Sequence, residues 1–402
     1  MRNGAAQADR GVRYTAAFGL SSSPMLDTEN VSTVSIERLA PGGDGLGFVD
    51  GMAVFVPFTA PGDTVRARLR DRKPGWARAD LLEIIHASAE RTAPACLLYG
   101  QCGGCDLMHM AYDAQLRAKA SIVADALARV GKLDGVNVSA RGSREFGYRN
   151  RARFHRTQGG SPGFKRRQSD DVLELPTCPV LVNELAVWLE DGPGRKPGPP
   201  PGSLAFTAFG AGGRVWLEGG GEDARARVLG RDFVFDPAGF FQSNVGALES
   251  LAAELRRDLS GERAADLYCG VGLFASFLKD SFARVTCVER DARSVSYAAK
   301  NLGPGTDLAA MDLDAWTRTS QAAARYDCVV LDPPRGGLSK TVRAWLARSA
   351  PPRVAYVSCD PVSFARDAGE LCRNGYELSS VGVFDFYPQT SDVETLGRFE
   401  RA

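Results

Sequence analysis

Three groups of residues in this 402-residue chain have the types and spacings that chemistry needs. The first lies in Val354-Ala355-Tyr356-Val357-Ser358-Cys359-Asp360-Pro361, an apolar, β-branched run that delivers a thiol and then a proline at the start of a helix. Helix-start N–H groups bias a nearby thiol toward thiolate, the form that attacks carbon. Cys359 is therefore the candidate nucleophile. Cys269, Cys287, Cys328 and Cys372 stand in apolar text that reads as strand or helix packing.

The second group is suited to holding a nucleoside. Asp266 to Gly272 spells D-L-Y-C-G-V-G, a strand running into a glycine turn, and Glu289 follows Gly270 by 19 residues. An acid at that distance is placed to accept hydrogen bonds from ribose hydroxyls. With Ala275 as the third small residue, G-V-G-L-F-A also satisfies a dinucleotide fingerprint, which keeps a nicotinamide dehydrogenase as a rival. S-adenosylmethionine is favoured by the acid-bearing first turn and by L-D-P-P-R-G-G at Asp332. There the prolines stiffen a tip that holds a carboxylate and backbone carbonyls toward a substrate base.

The third group is Cys96, Cys102 and Cys105 in C-L-L-Y-G-Q-C-G-G-C, with Cys178 far downstream before a proline. Gly103 and Gly104 let the backbone wrap tightly and turn N–H groups toward sulfur. Four thiolates suit either an iron–sulfur cluster or tetrahedral zinc. A Cys178 ligand would close such a site and make it structural. A radical-type cluster has a shorter first cysteine gap and leaves one iron open, so it does not match.

These groups need elements to position them. After Asp236 the text alternates helices with apolar strands, which makes a parallel sheet covered on both faces. In such a sheet ligands lie beyond the carboxyl ends of the strands. That rule collects Tyr268 and Gly270 after the first strand, Glu289 after the second, Asp312 after the third, Asp332 after the fourth and Cys359 after the fifth. Upstream, Val34 to His86 is a series of short alternating stretches separated by glycines, Pro61-Gly62 and Lys73-Pro74-Gly75, which reads as a small antiparallel barrel. Residues 106–131 read as an amphipathic helix. The expected organisation is a loose extension over 1–32, in which Met25 is an alternative start, a barrel over 33–88, an irregular β-rich middle domain over 89–235 and the α/β domain over 236–402.

Lys+Arg 49 against Asp+Glu 48 gives a net charge of +1, so total charge points to no polyanion. Its distribution does. From Arg141 to Arg167 nine basic residues face one acid, Glu145, and a second cluster comprises Arg66, Arg68, Arg70, Arg72, Lys73 and Arg78. Phe146, Tyr148, Phe154 and Phe164 among the charges are expected to stack on unpaired bases. The absence of a long apolar run and the charged first 24 residues predict a soluble, unexported, cytoplasmic chain with no membrane partner. Its nine cysteines would then stay reduced.

Six segments in order resemble the RNA uridine-5-methyltransferase family: F-F-Q-S-N (240–244), D-L-Y-C-G-V-G-L-F (266–274), V-E-R-D (288–291), L-D-P-P-R-G-G (331–337), S-C-D-P (358–361) and F-Y-P-Q-T-S-D-V-E-T-L (386–396). The four cysteines and the preceding barrel are similar to its ribosomal-RNA branch, which carries a TRAM domain and a [4Fe-4S] cluster. The resemblance spans residues 34–402. It implies an α/β, class I (Rossmann-like) methyltransferase domain with an N-terminal TRAM/OB-like barrel and a β-rich iron–sulfur middle domain. It further implies that Gln242, Tyr268, Glu289, Asp312 and Asp332 line an S-adenosylmethionine pocket, that Cys359 is the nucleophile and that Glu394 accepts the proton. Leu273 stands where relatives often have Asn, and Gln389-Thr390 where they often have His-Thr.

The implied reaction is methylation of carbon 5 of an unstacked uridine, in large-subunit ribosomal RNA, by a monomer with no obligate protein partner. The alternatives are a transfer-RNA enzyme and a non-catalytic iron–sulfur assembly protein. The second is disfavoured by the presence of both Cys359 and Glu394.

Overall fold

Alternation between Val31 and His86 closes a barrel. In the computed structural model, which describes residues 30–402, strands β1 (Val31–Leu39), β2 (Gly45–Val49), β3 (Met52–Val56), β4 (Thr64–Lys73) and β5 (Trp76–His86) are ordered β1-β2-β3-β5-β4 around a closed ring. Residues 1–29 of the expected extension, Met25 included, lie outside the described residues. Val34, Ile36, Val54, Val56, Val65, Ala67, Ala79 and Leu81 fill the interior. The period of two puts Arg66, Arg68 and Arg70 of β4 together on the outer side, and an irregularity at Asp71, φ +41°, breaks the alternation before Arg72. Exposed pairs with Glu83 and Asp80 on β5 engage Arg66 and Arg70. A buried ion pair, Arg91–Asp63 at 2.7 Å, fastens the barrel to the chain that follows.

Helix α1 (Tyr112–Ala126) begins six residues later than the expected 106, because residues 106–111 turn out of the cysteine loop, and it ends in a single π turn, Leu127–Gly131. Strand β6 (Val138–Arg141) then pairs in parallel with a strand from the far end of the chain, residues 376–384. Residues 112–141 therefore build the α/β sheet and do not stay within an 89–235 unit. The cause is burial: Val123, Ala126 and Leu127 pack in the same core as Val381 and Val383.

The middle unit has strands β7 (Arg151–Arg156), β8 (Pro162–Lys165) and β9 (Val172–Glu174), helix α2 (Asn183–Glu190), and strands β10 (Ala205–Ala211) and β11 (Arg214–Leu217). Its sheet runs β11-β10-β7-β8-β9. The expected base-stacking aromatics are core residues instead. Phe154 is fully buried, stacks on Phe164 at 5.2 Å between centroids and packs with Trp188 and Phe206, while Phe146 leans on the same cluster. Tyr148 is buried and donates to Pro388 O at 2.8 Å. The hairpin of β12 (Ala224–Val228) and β13 (Arg231–Phe235) drives Phe233 and Phe235 into the α/β core against Phe241, so the junction is not a cut at 236.

The remainder is α3 (Val245–Arg256), β14 (Gly261–Leu267), α4 (Leu273–Leu278), β15 (Phe282–Glu289), α5 (Ala292–Leu302), β16 (Asp307–Ala310), α6 (Leu313–Trp316), β17 (Cys328–Leu331), α7 (Lys340–Ser349), β18 (Arg353–Ser358), α8 (Pro361–Arg373), β19 (Tyr376–Phe384) and β20 (Glu394–Arg401). The sheet order is β16-β15-β14-β17-β18-β20-β19-β6, and the first five strands are parallel. Successive strands leave β14 in opposite directions, so the switch point, where such sheets open a crevice, lies between β14 and β17. Gly131 and Gly369 let the π turn meet α8 backbone to backbone; a Cβ at Gly369 would lie 2.3 Å from Gly131 O. Among the described residues no helix is long and apolar enough to cross a membrane.

Candidate functional site

A cavity of about 850 Å³ opens at the switch point. Gln242, Tyr268, Gly270, Glu289, Asp312, Asp332, Cys359 and Glu394, drawn from seven places in the sequence, all line it. The first turn is bent to suit: Tyr268 holds φ +66° and Gly270 φ +54°, and the amides of Tyr268 and Cys269 both donate to Val288 O. A non-glycine residue in that region costs energy and persists where its surroundings fix it. Glu289 accepts from Gly270 N at 3.3 Å and Asp291 N at 2.9 Å, which orients its carboxylate toward the turn. Asp312 caps α6 by accepting from Asp314 N. Gln242 is buried, and its Oε1 has no hydrogen-bond partner among the described residues.

Glu394 opens β20, which runs antiparallel beside β18, with Ser358 opposite Thr395. That register sets Cys359 and Glu394 side by side at one end of two neighbouring strands. Glu394 is only 2 % exposed, so it is not a surface acid on the last hairpin. The segment 385–393 between β19 and β20 adds Tyr387, Asp392 and Val393 to the wall, and Phe240 stands 65 % exposed at its rim. None of these was singled out as a site residue from sequence, although Tyr387, Asp392 and Val393 fall inside the 386–396 motif and Phe240 inside the 240–244 motif. Arg335, from the tip after β17, reaches Asp392 at 3.5 Å.

Cys96, Cys102, Cys105 and Cys178 line a second, small cavity together with Tyr99, Met108, Phe164 and Leu175. Backbone pairing draws the cysteine loop to the β8 end, with Gly103 N donating to Lys165 O and Arg167 N to Gln101 O. All four thiols are free. Burial pushes Cys102, Cys105 and Cys178 up, Cys178 to about 11. Among the described residues no three His, Cys, Asp or Glu side chains converge closely enough to hold a metal ion.

Two family models match the chain: a TRAM domain over residues 30–82 and a methyltransferase small domain over residues 240–348. A 23S rRNA (uracil(1939)-C(5))-methyltransferase of Pseudomonas fluorescens is 31% identical across 98% of this chain and 99% of its own. The enzyme of that name from an Azoarcus species is 33% identical across 92% and 99%. The chain belongs to the RNA uridine-5-methyltransferase family. Its fold is also that of the tRNA (uracil-54, C5)-methyltransferase of Pyrococcus abyssi solved with S-adenosyl-L-homocysteine, at a TM-score of 0.66 and 22% identity over 92% of this chain and 100% of the other.

In this RNA uridine-5-methyltransferase the cavity is a crowd of acids. Burial pushes Asp332 up to about 7. Burial, then Asp332 and Asp392, push Glu394 well above the carboxylate range. Cys359 is raised to about 11 by burial and by the carboxylates of Glu394 and Asp332, with Arg335 opposing. The sequence-based expectation of a thiol biased toward thiolate is thus overturned. The N-terminus of α8 is occupied by its own cap, Asp360, which accepts from Ser363 N at 2.7 Å. A thiol of that pKa is about one part in ten thousand ionised at pH 7. Alkylation of the methyltransferase at Cys359, followed by mass spectrometry of its peptide, is therefore expected to quicken about tenfold per pH unit between pH 7 and 9. A rate that levels off below pH 8 would contradict the burial argument.

Proposed function

We propose that this methyltransferase uses S-adenosylmethionine to methylate carbon 5 of a uridine in large-subunit ribosomal RNA, with Cys359 as covalent nucleophile and Glu394 as base. The observation that carries the reading is the β18–β20 register, which brings a thiol and a buried carboxyl together in one crevice with the nucleoside-suited turn. The orphaned Gln242 Oε1, the strained Tyr268 turn and the volume of the cavity suit S-adenosylmethionine. Gln242, Tyr268, Gly270, Glu289, Asp312 and Asp332 would hold it. When bound, it supplies an electrophilic methyl group.

Carbon 5 of uracil is a poor nucleophile, so the protein must raise its electron density. The Cys359 thiol gives up its proton to water, its sulfur adds to carbon 6, and the displaced electron pair spreads over the carbonyl and carbon 5. Once carbon 5 carries the methyl, Glu394 takes the remaining proton from it and the Cys359–carbon bond breaks, restoring the ring. Burial among acids pushes Glu394 up, so its carboxylate is a stronger base but only the deprotonated form can act, and this step should quicken as pH rises. The target base must be unstacked to enter, which favours a loop nucleotide over an intact duplex. Ribosomal RNA as the substrate is supported by the names of relatives matched over nearly their whole length and by the TRAM barrel. Mapping 5-methyluridine in total RNA with and without the gene tests this. Loss from one 23S position is expected, and unchanged RNA would sink the reading.

Cys96, Cys102, Cys105 and Cys178 would hold a [4Fe-4S] cluster that ties the loop before α1 to the middle unit. The donor chemistry fits: four thiols in an apolar cavity, with the Gly104 amide donating to Cys102 sulfur. Protein purified without oxygen is expected to be brown, with a broad visible absorbance lost in Cys102→Ser. A colourless protein with stoichiometric zinc would overturn this assignment.

A further inference from the structure

The segment that leads into Glu394 is held at nearly every residue by side chains from far upstream. Lys119 Nζ donates to Asp385 Oδ1 at 2.6 Å and to Tyr387 O at 2.9 Å. Asn244 Nδ2 donates to Phe386 O, and Tyr148 Oη to Pro388 O. Gln115 and Gln389 form a reciprocal pair. Gln115 Nε2 donates to Gln389 Oε1 at 3.0 Å, and Gln389 N donates back to Gln115 Oε1 at 2.9 Å. Gln389 O accepts from the amides of both Asp106 and Leu107. The Asp106 carboxylate accepts from Ser391 N and Ser391 Oγ, each at 2.7 Å.

Gln389 sits at φ +71°, a conformation that a side chain of its kind keeps only under constraint. The last two contacts, at Gln389 and Ser391, lie five and three residues before Glu394. Neither Asp106 nor Gln115 lines the cavity.

We infer that Asp106 and the Gln115–Gln389 amide pair are positioning residues for Glu394, and that they govern resolution of the covalent adduct rather than its formation. This rests on the reading of Glu394 as the base. Their contacts end on the segment before β20, whereas Cys359 and the turn after β14 are built by other elements. A shift of the carboxylate of about 1 Å is enough to slow a proton transfer by about 10². Cys359 addition and methyl arrival do not use that carboxylate.

Wild type, Asp106→Ala, Asp106→Asn, Ser391→Ala and Glu394→Gln would be compared with a loop RNA in rapid-quench experiments. Adduct is read as a denaturation-resistant protein–RNA band, turnover as methylated RNA released, and folding by thermal melting. In Asp106→Ala, adduct formation is expected to stay within about threefold of wild type while turnover falls by about 10-fold to 10²-fold and adduct accumulates. Ser391→Ala, which loses one contact, should lie between them. Asp106→Asn keeps an acceptor for Ser391 N and a donor for Ser391 Oγ, and should restore turnover. Equal loss of both steps in Asp106→Ala and in the milder Ser391→Ala would overturn the inference, as would Asp106→Asn failing like Asp106→Ala. If Glu394→Gln itself accumulates no adduct, the base assignment fails and the positioning inference goes with it.

Discussion

Glutamine at position 394 is expected to leave the protein covalently attached to its RNA. The replacement keeps the size of the side chain in a site that is almost fully enclosed and removes the ability to accept a proton, together with a charge that opposes ionisation of Cys359. Addition of Cys359 to carbon 6 and methyl transfer proceed, and the adduct then waits for a base. Turnover should fall by about 10³, within the range that a positioned base contributes. A band that survives denaturation and contains both protein and RNA is the readout. Cys359→Ala should form no such band. Wild-type protein given 5-fluorouridine RNA should form it in full, because fluorine at carbon 5 cannot leave as a cation. An adduct with Cys359→Ala, or normal turnover with Glu394→Gln, would refute the assigned roles.

Lys119→Met is expected to be among the most destabilising single changes in the chain. Lys119 and Asp385 are both fully buried and lie 2.6 Å apart. Removing the ammonium leaves a carboxylate with no counter-charge in a low-dielectric interior, which typically costs about 3–5 kcal/mol. The urea midpoint should fall accordingly. Adding Asp385→Asn to Lys119→Met removes the stranded charge and should recover much of the loss, since Asn can still accept from Tyr387 N as Asp385 does. A double variant whose losses simply add would show that the pair does not interact as the geometry requires.

Much of the crevice could be read from the text because parallel strands are written in apolar, β-branched runs whose ends are marked by glycine, proline or an acid. Those marks located Tyr268, Glu289, Asp312, Asp332 and Cys359, and the structure gathers them in one cavity. Glu394 and Gln242 came only from family resemblance, since nothing local separates a buried acid at a strand start from an exposed one. The state of Cys359 was misread because a helix start was counted as free when Asp360 already caps it, and because Glu394 is distant in sequence. The aromatics were misread despite an available signal. In β7 the order R-A-R-F alternates, so the period of two that points Arg153 outward turns Ala152 and Phe154 inward. Lys119 gave no signal, because a lysine in an amphipathic helix reads as a solvated position until the strand connection carrying Asp385 is known.

The place of β6 bears on how this protein can be divided. Strand β6 is contributed by residues 138–141 and covers the outer side of β19, while α1 covers the apolar face of the same region. A C-terminal fragment beginning at 236 would keep the crevice residues Gln242 to Glu394 but leave β19 as a bare edge beside an uncovered hydrophobic face. Unprotected edges of that kind recruit strands from other molecules and aggregate. The transferase sheet is therefore not a transferable cassette: a chimera that exchanges the N-terminal barrel must be cut before α1 and must keep an acid to meet the buried Arg91 as Asp63 does.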